Sequence, residues 1–249
     1  MQTFERAESF LRDLARIDTQ GDLAEALAQV TREMGFSYFA LSHHGDIRRA
    51  RQPAIRLHNY PDDWADYYDD HRLGISDPVC RASHLTSVGF AWSELPNMLD
   101  LTAGDRAILR RAEARGISNG FTVPANVPGE SNGSCSFAGP RGKPLREENL
   151  PLAQVIGAFG FEAARRLWRV RAPATGPLPR VTERQRECIL WMARGKSDWE
   201  ISRILGIQHE TVVRHLKQAR ERYGVGKRTM LAVQALFEGS ISFTDVLKR

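Results

Sequence analysis

This chain holds little that could build disulfides, metal sites or a membrane anchor. It has three cysteines in 249 residues, Cys80, Cys135 and Cys188, odd in number and far apart, with no CxxC pair. That argues against a disulfide framework and against a zinc site, and for a reducing cytoplasm. No apolar run approaches the roughly 18–20 residues that span a bilayer. The opening MQTFERAESFLRDLAR places acids early and offers no apolar core, so no secretory signal is expected. The adjacent His43 and His44 lack a third ligand spaced nearby, so neither a metal nor any other cofactor is expected.

The charge is unevenly placed. Residues 180–249 hold 14 Lys and Arg against 8 Asp and Glu, whereas residues 1–179 hold 21 against 22. A near-neutral body joined to a basic tail suggests that the tail meets a polyanion. With 42% hydrophobic and 26% charged residues the composition is that of a soluble globular protein, and the length allows two cores. The segment 171–180, RAPATGPLPR, has three prolines and a glycine in ten residues and reads as a semi-extended linker. The expected domains are therefore 1–170 and 181–249.

Periodicity in the first domain mixes helix and strand. Apolar stripes at helical spacing run over Phe4–Ile17 and Leu23–Met34, the second closed by Gly35. Residues 36–43 and 55–57 suit strands. Pro61–Arg72 opens like a helix, with Pro first and acids in the first turn, and Asp77-Pro78 is a cap followed by a first-turn proline. Thr102–Arg115 follows, then strands at Ser118–Val123 and Ser134–Ala138, then a long amphipathic helix over Leu150–Val170. The expectation is an α+β chain: an N-terminal α/β/α sandwich around a small antiparallel sheet, and a C-terminal all-α domain.

That second domain carries the most specific pattern. Thr182-x-x-Gln185 and Ser197-x-x-Glu200 both fit capping boxes, Gly206 permits a tight turn, and a helix follows over about 209–223. This order is that of a helix-turn-helix, which presents one helix to the DNA major groove. Val212, Leu216 and Ala219 recur at core spacing. The opposite surface then carries Glu210, Val213, Arg214, Lys217 and Gln218, with Thr211 and His215 at its margins. Such a mix can read base edges and hold phosphates. A plainer reading, that Arg214 and Lys217 are solvated helix charges, fits either one alone. A last helix over 228–238 offers apolar residues for packing or dimer contact.

The segment VTERQRECILWMARGKSDWEISRIL resembles the DNA-binding domain of LuxR-type transcription factors. It departs at Val181, Gln185 and Ile189, each keeping size or polarity. The first domain resembles the autoinducer-binding domain of quorum-sensing LuxR proteins. The matching residues are Tyr60-Pro-Asp-Asp-Trp64 with Tyr68, Asp77-Pro78, Trp92 fifteen residues beyond Asp77, GFTVP at 120–124, and Ser136. The resemblance implies an N-acyl-homoserine lactone as ligand. It implies that Asp77 accepts the ligand's amide N–H, that the Trp64 indole donates to the lactone carbonyl, and that Tyr60 and Ser136 donate to the acyl carbonyl. Tyr68 and Trp92 would wall the ring, and Thr122 would add a polar contact or a water. If the face of strand 36–44 that bears Tyr38, Ala40, Ser42 and His44 lines the pocket, small Ala40 and Ser42 leave space for the acyl tail. The implied partners are the lactone, a palindromic double-stranded DNA site and a second copy of the chain; RNA polymerase stays open as a further one, and no membrane is expected.

Plainer readings stand beside these. Asp77 serves equally as a helix cap, and Trp64 and Tyr68, at i and i+4, suit a core. Other functions also stay open. One is an orphan regulator that answers an aryl or host-derived ligand, or none. Another is a hydrolase built on Ser136, His58 and Asp77, which is disfavoured because GSCSFAG is not a G-x-S-x-G elbow. A phosphorylated receiver is disfavoured because the first domain lacks alternating strands and helices with paired N-terminal acids.

Overall fold

The computed structural model describes residues 2–44, 54–127, 131–143, 145–171 and 181–247. In chain order the first unit holds α1 (Gln2–Leu14), α2 (Gln20–Glu33), β1 (Tyr38–His43), β2 (Arg56–His58), α3 (Asp62–Asp70), α4 (Pro78–Ser83), β3 (Phe90–Ala91), α5 (Leu95–Met98), α6 (Ala103–Glu113), β4 (Asn119–Ala125), β5 (Gly133–Gly139) and α7 (Leu150–Arg171). The second holds α8 (Glu183–Ala193), α9 (Asp198–Leu205), α10 (His209–Tyr223), α11 (Arg228–Phe237) and α12 (Phe243–Leu247). Contacts divide the chain into two compact units. Helix α7 runs one residue into the stretch expected to be linker, and 172–180 lie outside the described residues.

The first unit is an α/β sandwich around one antiparallel sheet of order β2-β1-β5-β4-β3. Register fixes what each face carries, because residues paired across strands share a face. One face takes Phe39, Leu41, Phe121, Val123, Cys135 and Phe137, all buried against Leu23, Leu27 and Val30 of α2 and Leu152, Ile156 and Phe161 of α7. Burying each such side chain contributes about 1.5–3 kcal/mol, so this face anchors the unit. The other face is different in kind. A rung runs His58–Ala40–Ser136–Thr122–Phe90, and the next runs Arg56–Ser42–Ser134–Pro124. Polar and small residues dominate it, and the elements α3 to α6 roof it with Trp64, Leu73, Ala112 and Ile117.

The second unit is helical throughout. Cys188, Ile189, Ile201, Val212, Leu216, Ala219, Leu231 and Ala235 form its core. Both expected capping boxes are present: Thr182 and Gln185 cap α8 reciprocally, as do Ser197 and Glu200 on α9. Gly206 takes φ +63 between α9 and α10, a left-handed conformation that a Cβ would strain. Among the described residues no helix is long and apolar enough to cross a membrane.

Candidate ligand cavity and nucleic-acid face

Between the polar sheet face and its helical roof lies a cavity of about 70 Å3. Tyr60, Trp64, Tyr68, Asp77, Trp92, Ala40, Ser42 and Ser136 all line it, so these eight expected site residues share one wall system. Thr122 does not line the cavity; it stands directly behind Ser136.

Asp77 holds the helix-cap role that the sequence offered, and its second oxygen is engaged as well. It caps α4, with Oδ1 accepting the Val79 N–H at 2.8 Å, while Oδ2 accepts the Tyr68 hydroxyl at 2.9 Å. A carboxylate has about four lone-pair sites, so acceptor capacity remains for a donor in the cavity. Withdrawal from bulk water raises its pKa, and the bonds from Val79 and Tyr68 only partly offset that. Its helix is pinned from behind: Arg81 on α4 reaches the buried Asp105 on α6 at 2.7 Å. Tyr68 thus orients the carboxylate as well as walling the cavity, a role its i, i+4 spacing from Trp64 did not reveal.

The sheet side of the same cavity carries a chain of linked polar groups. The Trp92 indole N–H donates to Thr122 Oγ1 at 2.8 Å, and Thr122 Oγ1 lies 2.8 Å from Ser136 Oγ. An indole N–H can only donate. Thr122 therefore accepts there, and its proton and second lone pair remain for Ser136, so either hydroxyl can donate in that pair. Trp92 reaches this position because residue 120 is glycine: a Cβ there would lie 2.4 Å from the indole. Trp64 is buried, and among the described residues neither its N–H nor the Tyr60 hydroxyl has a hydrogen-bond partner. The wall thus combines a carboxylate acceptor with an indole N–H and hydroxyls in largely apolar surroundings, a setting suited to a small molecule that carries both donors and acceptors.

Residues not singled out as ligand contacts join this wall, among them Arg56, His58, Cys80 and Ser134. Alternation on 55–58 and the pairing of His58 with Ala40 would have signalled the first two, but only once the strand register was known. His58 Nδ1 is sealed from solvent without a partner among the described residues. A Ser-His-Asp relay does not form: Ser136 bonds Thr122, and Asp77 bonds Val79 and Tyr68.

On α10, Val212, Leu216 and Ala219 are buried as their spacing required. Val213, Arg214 and Lys217 are exposed, and Thr211 and His215 are half-buried at the edges. Gln218 is held by Gln185 of α8 at 3.3 Å. The basic residues here differ from those of α8 and the turn after it. Arg184, Arg186 and Lys196 are all neutralised by glutamates on their own or the adjoining turn, whereas among the described residues Arg214 and Lys217 have no ion pair. Burial lowers the pKa of His215, and the neighbouring Arg214 adds to that.

A partly closed, polar-and-apolar cavity in one unit, and in the other a helix-turn-helix whose Arg214 and Lys217 have no ion pair among the described residues, fit a DNA-binding regulator that takes a small molecule. Residues 19–167 match the family described as the autoinducer binding domain, and residues 180–235 match the luxR family of bacterial regulatory proteins. The chain belongs to the LuxR-type transcriptional regulators with an autoinducer-binding domain. It is 31% identical over 230 residues to the transcriptional activator protein BjaR1 of Bradyrhizobium diazoefficiens, covering 92% of this chain and 93% of that one. It is 29% identical over 225 residues to the transcriptional activator protein AhyR of Aeromonas hydrophila, covering 89% and 85%. Escherichia coli SdiA shares the fold, with a TM-score of 0.68 at 23% identity over 96% of this chain and 98% of that one. These matches are to transcriptional regulators, not to enzymes.

Proposed function

We propose that this regulator binds an N-acyl-homoserine lactone in the sheet-face cavity and a palindromic DNA site as a cytoplasmic homodimer, with 1–170 as sensing domain and 181–249 as DNA-binding domain. The observation that carries the ligand assignment is the hydrogen-bond inventory of the wall. Asp77 takes the amide N–H, Trp64 donates to the lactone carbonyl, and Tyr60 and Ser136 donate to the acyl carbonyl, while Ala40 and Ser42 make room for the arm. Each buried group left unpaired costs about 1–3 kcal/mol, so a ligand that satisfies all of them is strongly favoured over an apolar one.

The cavity is smaller than the few hundred Å3 typical of sites for ligands of lactone size. Its walls therefore open or fold around the occupant, and binding couples to folding: ligand at about 100 times Kd adds about 2.7 kcal/mol of stability. Exposed apolar residues support pairing of two copies, with Phe159 on α7 and Met230, Val233 and Phe237 on α11. Paired recognition helices would reach successive major grooves roughly 34 Å apart, which favours a palindrome. Thr211, Val213, Arg214, His215 and Lys217 are the residues that would meet DNA.

The test is soluble yield and melting temperature of the full chain expressed with a panel of lactones, for wild type and Asp77→Asn. Wild type gains solubility and melts higher with at least one lactone, and Asp77→Asn needs at least about tenfold more of it. An Asp77→Asn response equal to wild type would remove the assigned pocket.

A further inference from the structure

The ligand scheme above uses Asp77, Trp64, Tyr60 and Ser136 and gives no task to His58, a lining residue with an unpartnered ring nitrogen among the described residues. His58 sits on the edge strand β2, in register with Ala40, which is in register with Ser136. Side chains of one rung share a face, so Ser136, the small Ala40 and His58 form a line across two strand spacings, roughly 9–10 Å. The imidazole stacks on the Tyr60 ring, with centroids 6.0 Å apart and planes 27° apart. Tyr60 and Ser136 are the two groups assigned to the acyl carbonyl. His58 therefore stands over the first carbons of the arm as it leaves that carbonyl and crosses Ala40.

Its chemistry is that of a reader. Nδ1 is sealed and has no hydrogen-bond partner among the described residues, an arrangement that costs stability and that a ligand oxygen would relieve as the walls open around it. Burial and the adjacent Arg56 both lower the ring's pKa, so the imidazole is neutral near pH 7 and presents one acceptor and one donor nitrogen. The neighbouring Arg56 is already committed, to Asp69 at 2.8 Å and to the Ala65 carbonyl at 3.4 Å, so it does not compete for a ligand oxygen.

We infer that His58 is a specificity-determining residue: it hydrogen-bonds an oxygen, hydroxyl or keto, carried on the acyl arm close to the acyl carbonyl, and so selects oxygenated over plain acyl chains. A hydroxyl would give its proton to Nδ1, and a keto oxygen would accept one from it. The inference rests on the lactone reading and extends it from the head of the ligand to its arm.

The experiment uses the purified full chain with N-hexanoyl-, N-octanoyl- and N-decanoyl-homoserine lactone, each beside its 3-oxo and 3-hydroxy forms, and reads half-saturating concentration from the shift in melting temperature. At the best chain length, one oxygenated form should act at about tenfold lower concentration than the plain form, and which one identifies the proton on Nδ1. His58→Phe, or His58→Leu if the larger ring does not fold, should bring the ratio close to one while still responding to the plain form. Equal response of wild type to plain and oxygenated forms overturns the inference, and so does a variant that keeps the wild-type ratio; both leave the lactone reading in place. Failure of every lactone to stabilise wild type overturns the two together.

Discussion

At the scale of single residues, one side of the cavity is backed by a relay of hydroxyls. Thr122 lies outside the cavity lining, yet it holds the Ser136 hydroxyl in place and accepts from Trp92. Thr122→Val keeps the shape, strands the Trp92 N–H and frees the Ser136 hydroxyl to turn. The expected outcome is a stability loss of about 1–3 kcal/mol in urea denaturation, with a lactone sensitivity about tenfold poorer. Unchanged sensitivity would show that the relay orients nothing. What was legible beforehand is the grouping: Tyr60, Trp64, Asp77 and Ser136 were named from a motif, and all four line one cavity. The cap on α4 was legible too, whereas the bond from Tyr68 to the second oxygen of Asp77 was not. His58 was not legible as a wall residue: its facing depends on the pairing of β2, a three-residue strand whose alternation is too short to orient it.

At the scale of elements, helices announced themselves better than strands. The boxes at Thr182 and Ser197 placed the starts of α8 and α9 because a cap is a local event, settled within four residues. β3, only Phe90–Ala91, is made a strand by its neighbour β4 and carries no periodicity of its own. α12 escaped for a similar reason, since five residues hold too few apolar positions for a stripe. The element with most at stake is α10, whose Arg214 and Lys217 have, among the described residues, no carboxylate like those that pair with Arg184 and Arg186 of α8. Lys217→Ala should weaken binding about equally across DNA sequences and reduce the slope of log K against log salt by about 1. Gel-shift titrations at several salt concentrations measure this. A slope equal to wild type would make Lys217 a solvated charge.

For the whole molecule, histidines set the response to acid. His44 sits against His84 at 2.9 Å and Ser134 at 2.9 Å, and burial followed by the nearby His84 pushes its pKa down to about 3. His58, His84 and His215 are lowered as well, in each case chiefly by burial. Unfolded histidines titrate near 6.5. Below that pH the unfolded chain takes up protons that the folded one refuses. The stability these rings contribute is therefore complete above about pH 6.5 and is lost as pH falls toward their folded values. Asp77 works in the opposite direction, its raised pKa favouring the fold as it protonates. The urea midpoint should drop between about pH 7 and about pH 5, a range above the unfolded carboxylates, and His44→Gln should flatten that drop. A midpoint that does not fall across this range would contradict the assigned burial.

The indole behind the Thr122–Ser136 pair has a consequence for ligand design. Because it has no lone pair to lend, it claims one lone pair of Thr122 for good, and only the threonine's second lone pair and its proton are left for Ser136. The serine can thus turn either its proton or a lone pair to the cavity without stranding the indole. Ligand mimics that carry an N–H in place of the acyl oxygen can still be met there, whereas a methylene leaves the serine with nothing to bond.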